Sequence, residues 1–311
     1  MNFQKIAPPV RGKELLDIAF RKAREKGKLK KLKGNWLQII RQKESLKLDI
    51  MKDNIVSKLQ KVLDDFPKYE ELGNFYNKLM DLTLDKKRYS NSLGGVDWGI
   101  KQIRKFHKGY VSKIVKCKDR TEIKELSKQC YGRVSSIVKH LDKGLQYLEE
   151  CRKIMKTYPD VKEMFTICLY GFPNVGKTTL LNKLTGTKAE VAVYSFTTKT
   201  INAGYFSVNG KKVQVLDVPG TLAREEKMNN VELQAELVKN ELADVIVYVF
   251  DLSGQNRFAV EEQVKLFETL KGKVLVYFSK MDVIDDDISS VVEKYKALGL
   301  EGLKKKLGSL V

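Results

Sequence analysis

Eight residues, Gly171-Phe172-Pro173-Asn174-Val175-Gly176-Lys177-Thr178, have the types and spacing that hold a polyphosphate. Two glycines bracket four residues, and a Lys-Thr pair follows. Glycine lets the backbone turn tightly enough for its N–H groups to wrap phosphate oxygens. A helix that begins there turns its positive end toward the same charge. Lys177 is expected to reach the β- and γ-phosphates, and the Thr178 hydroxyl to bind Mg²⁺, with Thr179 beside it. Forty residues beyond Lys177, Asp217-Val218-Pro219-Gly220 supplies a second pair of roles. Asp217 would hold Mg²⁺ through water, and the Gly220 N–H would meet the γ-phosphate. Between the two motifs lies Ser195-Phe196-Thr197-Thr198-Lys199-Thr200. A threonine here would reach both Mg²⁺ and the γ-phosphate; Thr198 is the first choice and Thr197 the second. Catalysis is thereby assigned to Lys177, Thr198 and Gly220. Ser279-Lys280-Met281-Asp282 reads the base. Asp282 would accept from guanine N1–H and N2–H₂, while adenine offers no donor at those positions. The Lys280 stem would lie over the ring.

These residues need a sheet edge to hold them together. The apolar runs 165–170, 213–218, 245–252 and 274–278 read as strands, and 179–184 and 300–310 as helices. Strands alternating with helices imply an α/β fold with a mostly parallel sheet. Thr200–Val208 and Lys211–Val218 flank Asn209-Gly210, a two-residue hairpin signal, so one pair should be antiparallel.

The preceding half is different. No proline lies between Pro67 and Pro159, so long helices are permitted. Val134, Ile137, Val138, Leu141, Leu145, Leu148 and Ile154 recur at helical spacing, as do Leu59, Val62, Leu63 and Phe66. Thr121 is expected to cap the helix it precedes. An all-α bundle over 12–157 follows, and a division into 1–160 and 161–311.

Charge divides the same way. The net charge is +19, and residues 1–160 hold 38 Lys and Arg against 20 Asp and Glu. A one-sided basic domain is suited to a polyanion. One basic run spans Arg21–Lys33. A second comprises Lys101, Arg104, Lys105, Lys108, Lys113, Lys116, Lys118 and Arg120, with Phe106, His107 and Tyr110 interleaved. Phosphate neutralisation with aromatic stacking suits RNA. An anionic membrane surface is the alternative, disfavoured because the basic stretches are rich in Lys and short of exposed Trp or Phe anchors. A further alternative is an RNA-binding scaffold whose nucleotide site is mainly structural. The absence of a long apolar run or leader pattern, and four cysteines without metal spacing, point to the cytoplasm with reduced, buried thiols.

GFPNVGK, SFTTKT and DVPG, with LDDFPKYEELGNFYNKLMDLTLDKKRYSNSLG and SSIVKHLDKGLQYLEECRKIM in the basic half, resemble the Obg branch of P-loop GTPases. The group of nucleolar GTP-binding protein 1 and its archaeal relatives is the nearer likeness. The resemblance implies GTP and GDP as ligands, Mg²⁺ as cofactor, and a role in large ribosomal subunit assembly on ribosomal RNA. Three departures accompany it. Ser279 stands where the family has an Asn that ties the base loop to the P-loop. Lys296-Ala297 stands where a Ser-Ala pair ends a strand, leaving the Ala297 backbone to meet guanine O6. The long extension of eukaryotic members has no counterpart after Val311. Thr221 and Leu222 follow Gly220 where Ras-like enzymes carry a catalytic glutamine, so slow intrinsic hydrolysis is implied. Asn174 matches a P-loop asparagine that supports K⁺ in related enzymes. Arg224 and Arg257 are expected on the surface, and His107 and His140 have no catalytic part.

Overall fold

The computed structural model describes residues 3–29, 33–159, 161–186, 192–196, 199–222, 230–253, 257–283 and 293–311. The chain divides into two compact units, Asn2–Leu72 with Thr83–Lys156, and Gly73–Leu82 with Thr157–Val311.

The first unit is helical: α1 (Gly12–Leu29) and α2 (Trp36–Asp65), then, beyond the short α3 (Asn74–Thr83), α4 (Lys86–Lys116) and α5 (Arg120–Met155). Helix α2 stops where Phe66 turns extended before Pro67, as the proline ring requires of the residue ahead of it. It starts on a capping box, in which Gln38 N–H donates to Asn35 Oδ1 and Asn35 N–H to Gln38 Oε1, both at 2.9 Å. Asp85 caps α4. Helix α5 is capped by Asp119, which accepts from Glu122 N–H at 2.7 Å. The expected cap, Thr121, already lies inside the first turn. The α5 stripe from Val134 to Leu148 is buried as its spacing predicts, and so are Leu59, Val62 and Phe66. Cys117, Cys130, Cys151 and Cys168 are free and buried.

The second unit is built on a six-stranded sheet of β1 (Thr166–Tyr170), β2 (Ala192–Phe196), β3 (Lys199–Val208), β4 (Lys211–Asp217), β5 (Val245–Asp251) and β6 (Val274–Ser279). Their order is β2-β3-β4-β1-β5-β6. Strands β4, β1, β5 and β6 are mutually parallel, and β3 runs against both neighbours. Asn209 (φ 51°) and Gly210 (φ 76°) are both left-handed, the geometry of a two-residue hairpin turn whose twist matches its strands. The sheet holds two antiparallel pairs rather than the single one expected, because β2 adds to the outer edge of β3. Among the described residues the unit also holds helices α6 (Lys177–Thr185), α7 (Asn230–Glu241), α8 (Val260–Glu268) and α9 (Leu300–Gly308).

Residues 73–82, which the sequence division assigns to the basic half, pack in this second unit. The Tyr76 hydroxyl donates to Pro159 O (2.8 Å) and accepts from Val161 N–H (3.0 Å). Asn74 and Lys78 both reach the Glu241 carboxylate at the end of α7.

Candidate nucleotide site

Strands β1 and β4 pair with Leu169 beside Asp217, so the P-loop and the DVPG turn leave the same sheet edge side by side. That edge, at the carboxyl ends of parallel strands, is where α/β sheets bind ligands. Gly171 has φ 146° and Gly176 φ 88°. A Cβ on Gly171 would stand 2.7 Å from Val249 O, so backbone proximity as well as conformation demands glycine there. Gly176 is the N-cap of α6, and Lys177 is its first residue. A cleft of about 660 Å³ opens above, lined among others by Pro173, Asn174, Gly176, Lys177, Thr178, Thr179, Asp217, Gly220 and Lys280. Val175 is instead fully buried, so it can serve a ligand only through its backbone.

The cleft floor is a compact polar cluster. Lys177, 7% exposed, donates through Nζ to Phe172 O at 2.7 Å and Gly171 O at 3.1 Å. Thr178 Oγ1 donates to Asp217 Oδ2 at 2.5 Å, and Asn202 Nδ2 donates to the same oxygen at 3.2 Å. Burial pushes the Asp217 carboxyl above its usual range, against the opposing pull of Thr178, Lys177 and Asn202. A buried carboxylate beside a threonine hydroxyl is a donor set suited to a hard divalent cation. Asn202 is not among the residues expected from the sequence. It is reachable there, since counting outward from the Asn209-Gly210 turn brings Asn202 opposite Asp217.

The DVPG turn lies against the P-loop. Thr221 N–H donates to Gly171 O at 3.2 Å. A Cβ on Gly220 would fall 2.4 Å from Pro173 N and 2.5 Å from its Cα. Gly220→Ala must therefore push the two loops apart. We expect about 1–3 kcal/mol lost in denaturant unfolding, typical of overpacking, with weaker nucleotide binding in the same variant. The Thr221 side chain, in the position of the absent glutamine, is fully buried and does not face the cleft. Thr197, Thr198 and Arg224 lie outside the described residues. Arg257 is exposed, with its guanidinium 5.0 Å from the Phe258 ring centroid.

On the base side, Lys280 adopts φ 53° and its Nζ lies 2.6 Å from Asp251 Oδ2. Burial raises the Asp251 carboxyl, but hydrogen bonds from Lys280 and Ser253 outweigh it and leave the group below its usual range. Gln263 grips the Asp251 backbone on both sides, accepting from its N–H (3.0 Å) and donating to its carbonyl (2.9 Å). Lys280 is thus fixed at the head while its stem lines the cleft. Asp282 stands exposed in the short 3-10 turn Met281–Val283. The Ser279 hydroxyl donates to Phe250 O at 3.0 Å, and the residue meets the P-loop by packing: a Cβ on Gly176 would lie 3.3 Å from Ser279 Cβ. The strand end expected at Tyr295–Leu298 reduces to one parallel bridge, Leu298 to Tyr277, after Lys296 turns left-handed at φ 47°. Ala297, half-buried, precedes that bridge.

In the helical unit the second basic cluster is exposed, but Phe106 and Tyr110 are half-buried. Among the described residues of this unit Trp36 (59%) and Trp98 (45%) are exposed, each just outside one of the two basic stretches. His107 pairs with Asp49 at 2.7 Å. Among the described residues no helix is long and apolar enough to cross a membrane.

A family profile for the NOG1 N-terminal helical domain matches residues 3–162, and one for 50S ribosome-binding GTPases matches 166–280. An uncharacterized protein of Methanocaldococcus jannaschii is 31% identical over 291 residues, covering 92% of this chain and 82% of its own length. Nucleolar GTP-binding protein 1 of Drosophila melanogaster is 32% identical over 290 residues, 91% of this chain and 44% of that protein. The Saccharomyces cerevisiae protein of the same name is 29% identical, over 95% and 48%. The chain thus spans about half the length of these eukaryotic relatives. Among solved structures, a Plasmodium falciparum nucleolar GTP-binding protein 1 is 25% identical over 49% of this chain and 88% of its own, with a TM-score of 0.39.

Proposed function

The chain belongs to the NOG1 family of GTP-binding proteins, and from that premise we propose a switch that binds GTP with Mg²⁺, hydrolyses it slowly, and acts in the cytoplasm on the RNA of the large ribosomal subunit or its precursor. The cluster of Lys177, Thr178 and Asp217 on the cleft floor carries the proposal. Thr178 and Asp217 would hold Mg²⁺, which when bound neutralises charge on the phosphates. Lys177, donating to two P-loop carbonyls, would exchange them for phosphate oxygens. Backbone N–H groups from Asn174 to Thr179 would surround the phosphates. Thr198, or Thr197, would close the site from the other side, and loss of the γ-phosphate would release that segment together with Gly220. Asp282 would select guanine, with Lys280 over the base and the Ala297 backbone at O6.

Thr221 cannot orient water from a buried position, which fits a slow intrinsic rate. Asn174, exposed in the cleft wall at φ 62°, would support a K⁺ ion there in this reading. The test is single-turnover hydrolysis of Mg²⁺-GTP in K⁺ and in Na⁺, with and without large ribosomal subunits. We expect K⁺ to accelerate the reaction by about tenfold or more, below the roughly 10³–10⁵ that an arginine finger supplies. Asn174→Ala should remove the difference and leave binding largely intact. Equal rates in the two salts would end the role of Asn174. No turnover even with ribosomal particles would make the nucleotide site structural and the chain an RNA-binding scaffold.

A further inference from the structure

We propose that the groove between the N-terminal part of α4 and the middle of α5 seats unpaired RNA, its phosphates held by Lys87, Arg88 and Lys143 and one base stacked on Trp98. The proposal rests on the RNA-directed function above and gives it a surface. The groove is open to solvent and offers about 560 Å³. Its lining charges are three cations and Asp85, whose carboxylate is already engaged in capping α4 at Arg88 N–H, 2.9 Å away.

The site is built before any ligand arrives. The Arg88 guanidinium lies 4.0 Å from the centroid of the Tyr147 ring. That ring is anchored in turn, since the Tyr147 hydroxyl accepts from Asp85 N–H (2.9 Å) and donates to Asp85 O (3.2 Å). A planar cation fixed over a fixed ring loses little entropy on taking a phosphate. Gly95 and Gly144 leave space in the groove that a side chain would partly fill: a Cβ would come within ordinary contact, 3.8 Å from Leu141 Cδ2 and 3.5 Å from Ser92 Cβ. The helices close up at Gly99, where a Cβ would meet Leu141 Cδ1 at 2.5 Å. Trp98, one residue earlier and 45% exposed, stands edge-to-face on His140, with centroids 5.9 Å apart, and His140 is part of the groove wall.

A groove edged by cations, with an aromatic plate beside its wall, fits a chain of phosphates carrying an unstacked base. An acidic peptide would use the cations and leave Trp98 unexplained. The aromatic platform thus moves from the half-buried Phe106 and Tyr110 to Trp98.

The experiment measures binding of the full chain to a single-stranded RNA of mixed sequence, to an RNA duplex with the same number of phosphates, and to phosphatidylserine–phosphatidylcholine vesicles. Stacking of one base predicts that Trp98→Ala weakens single-strand binding by about 5-fold to 150-fold with little effect on the duplex, and that Trp98→Phe restores most of it. Lys87→Gln and Lys143→Gln should each lower the salt slope by about 1. If the chain binds RNA but these variants leave it unchanged, the groove assignment fails and the RNA-directed function stands. If the unaltered chain binds neither RNA, both fail. Loss of vesicle binding in Trp98→Ala, with RNA binding unchanged, would make the groove rim a membrane contact and overturn the proposal.

Discussion

Asp282→Asn should abolish GTP selectivity and confer binding of xanthosine triphosphate. The carboxylate offers two acceptors, one for guanine N1–H and one for N2–H₂. The amide replaces one acceptor with a donor, which faces N2–H₂ unproductively but matches the carbonyl that xanthine carries at that position. Sites built on such buried hydrogen bonds discriminate by about 10⁴–10⁵, so loss of GTP affinity on that scale is expected. Asp282 is exposed in its short turn, and the substitution should leave thermal unfolding almost unchanged. The opposite wall should also survive, because Lys280 is held by Asp251 and not by Asp282. Equilibrium binding of fluorescent GTP, ATP and xanthosine triphosphate to both proteins decides the matter. Equal affinity of the unaltered chain for ATP and GTP would remove Asp282 from its role as the base reader.

Much of the candidate cleft is legible in the sequence because its requirements are local. Gly171 and Gly176 must be left-handed, and only glycine adopts such angles freely. Asn209-Gly210 sets the register of a whole hairpin and thereby the Asn202–Asp217 pair. The Asp119 cap is also within reach, since Asp119 and Glu122 stand in the spacing of a capping box, which Thr121 does not. Trp98 falls between the buried positions Val96 and Gly99 of α4, so its exposure follows from helical spacing. Other features have no local signature. Strand β2 is five residues on a sheet edge, next to the Thr-rich stretch that hides it. Helix α3 is ten residues long, and its partner Glu241 lies more than 160 residues away. The Lys280–Asp251 pair joins the ends of two neighbouring strands, where parallel order, unlike a hairpin, cannot be counted from a turn.

Binding to large-subunit RNA should collapse with salt. Nearly all of the +19 excess lies in residues 1–160, and each phosphate neutralised releases counterions. An interface of about 6–10 phosphates loses roughly 10³–10⁵ in affinity between 50 and 200 mM salt. The cations are not equivalent. Lys101 is paired with Asp97 at 2.6 Å, so it should contribute little. Arg104, Lys105 and Lys108 are exposed on the same helix and should contribute more. In the other basic run, Lys33 is exposed, and Lys28, Lys30 and Lys31 complete it in sequence. Replacing these four by Gln should lower the salt slope by about 1 for each phosphate left without its cation. Phosphate binding carries no base information, so the weakening should be equal on large-subunit RNA and on an unrelated RNA of the same length. Any preference between the two RNAs should persist in that variant. The measurement is a salt titration of the full chain on both RNAs. A flat titration for the unaltered chain would show that the basic half serves some purpose other than holding phosphates.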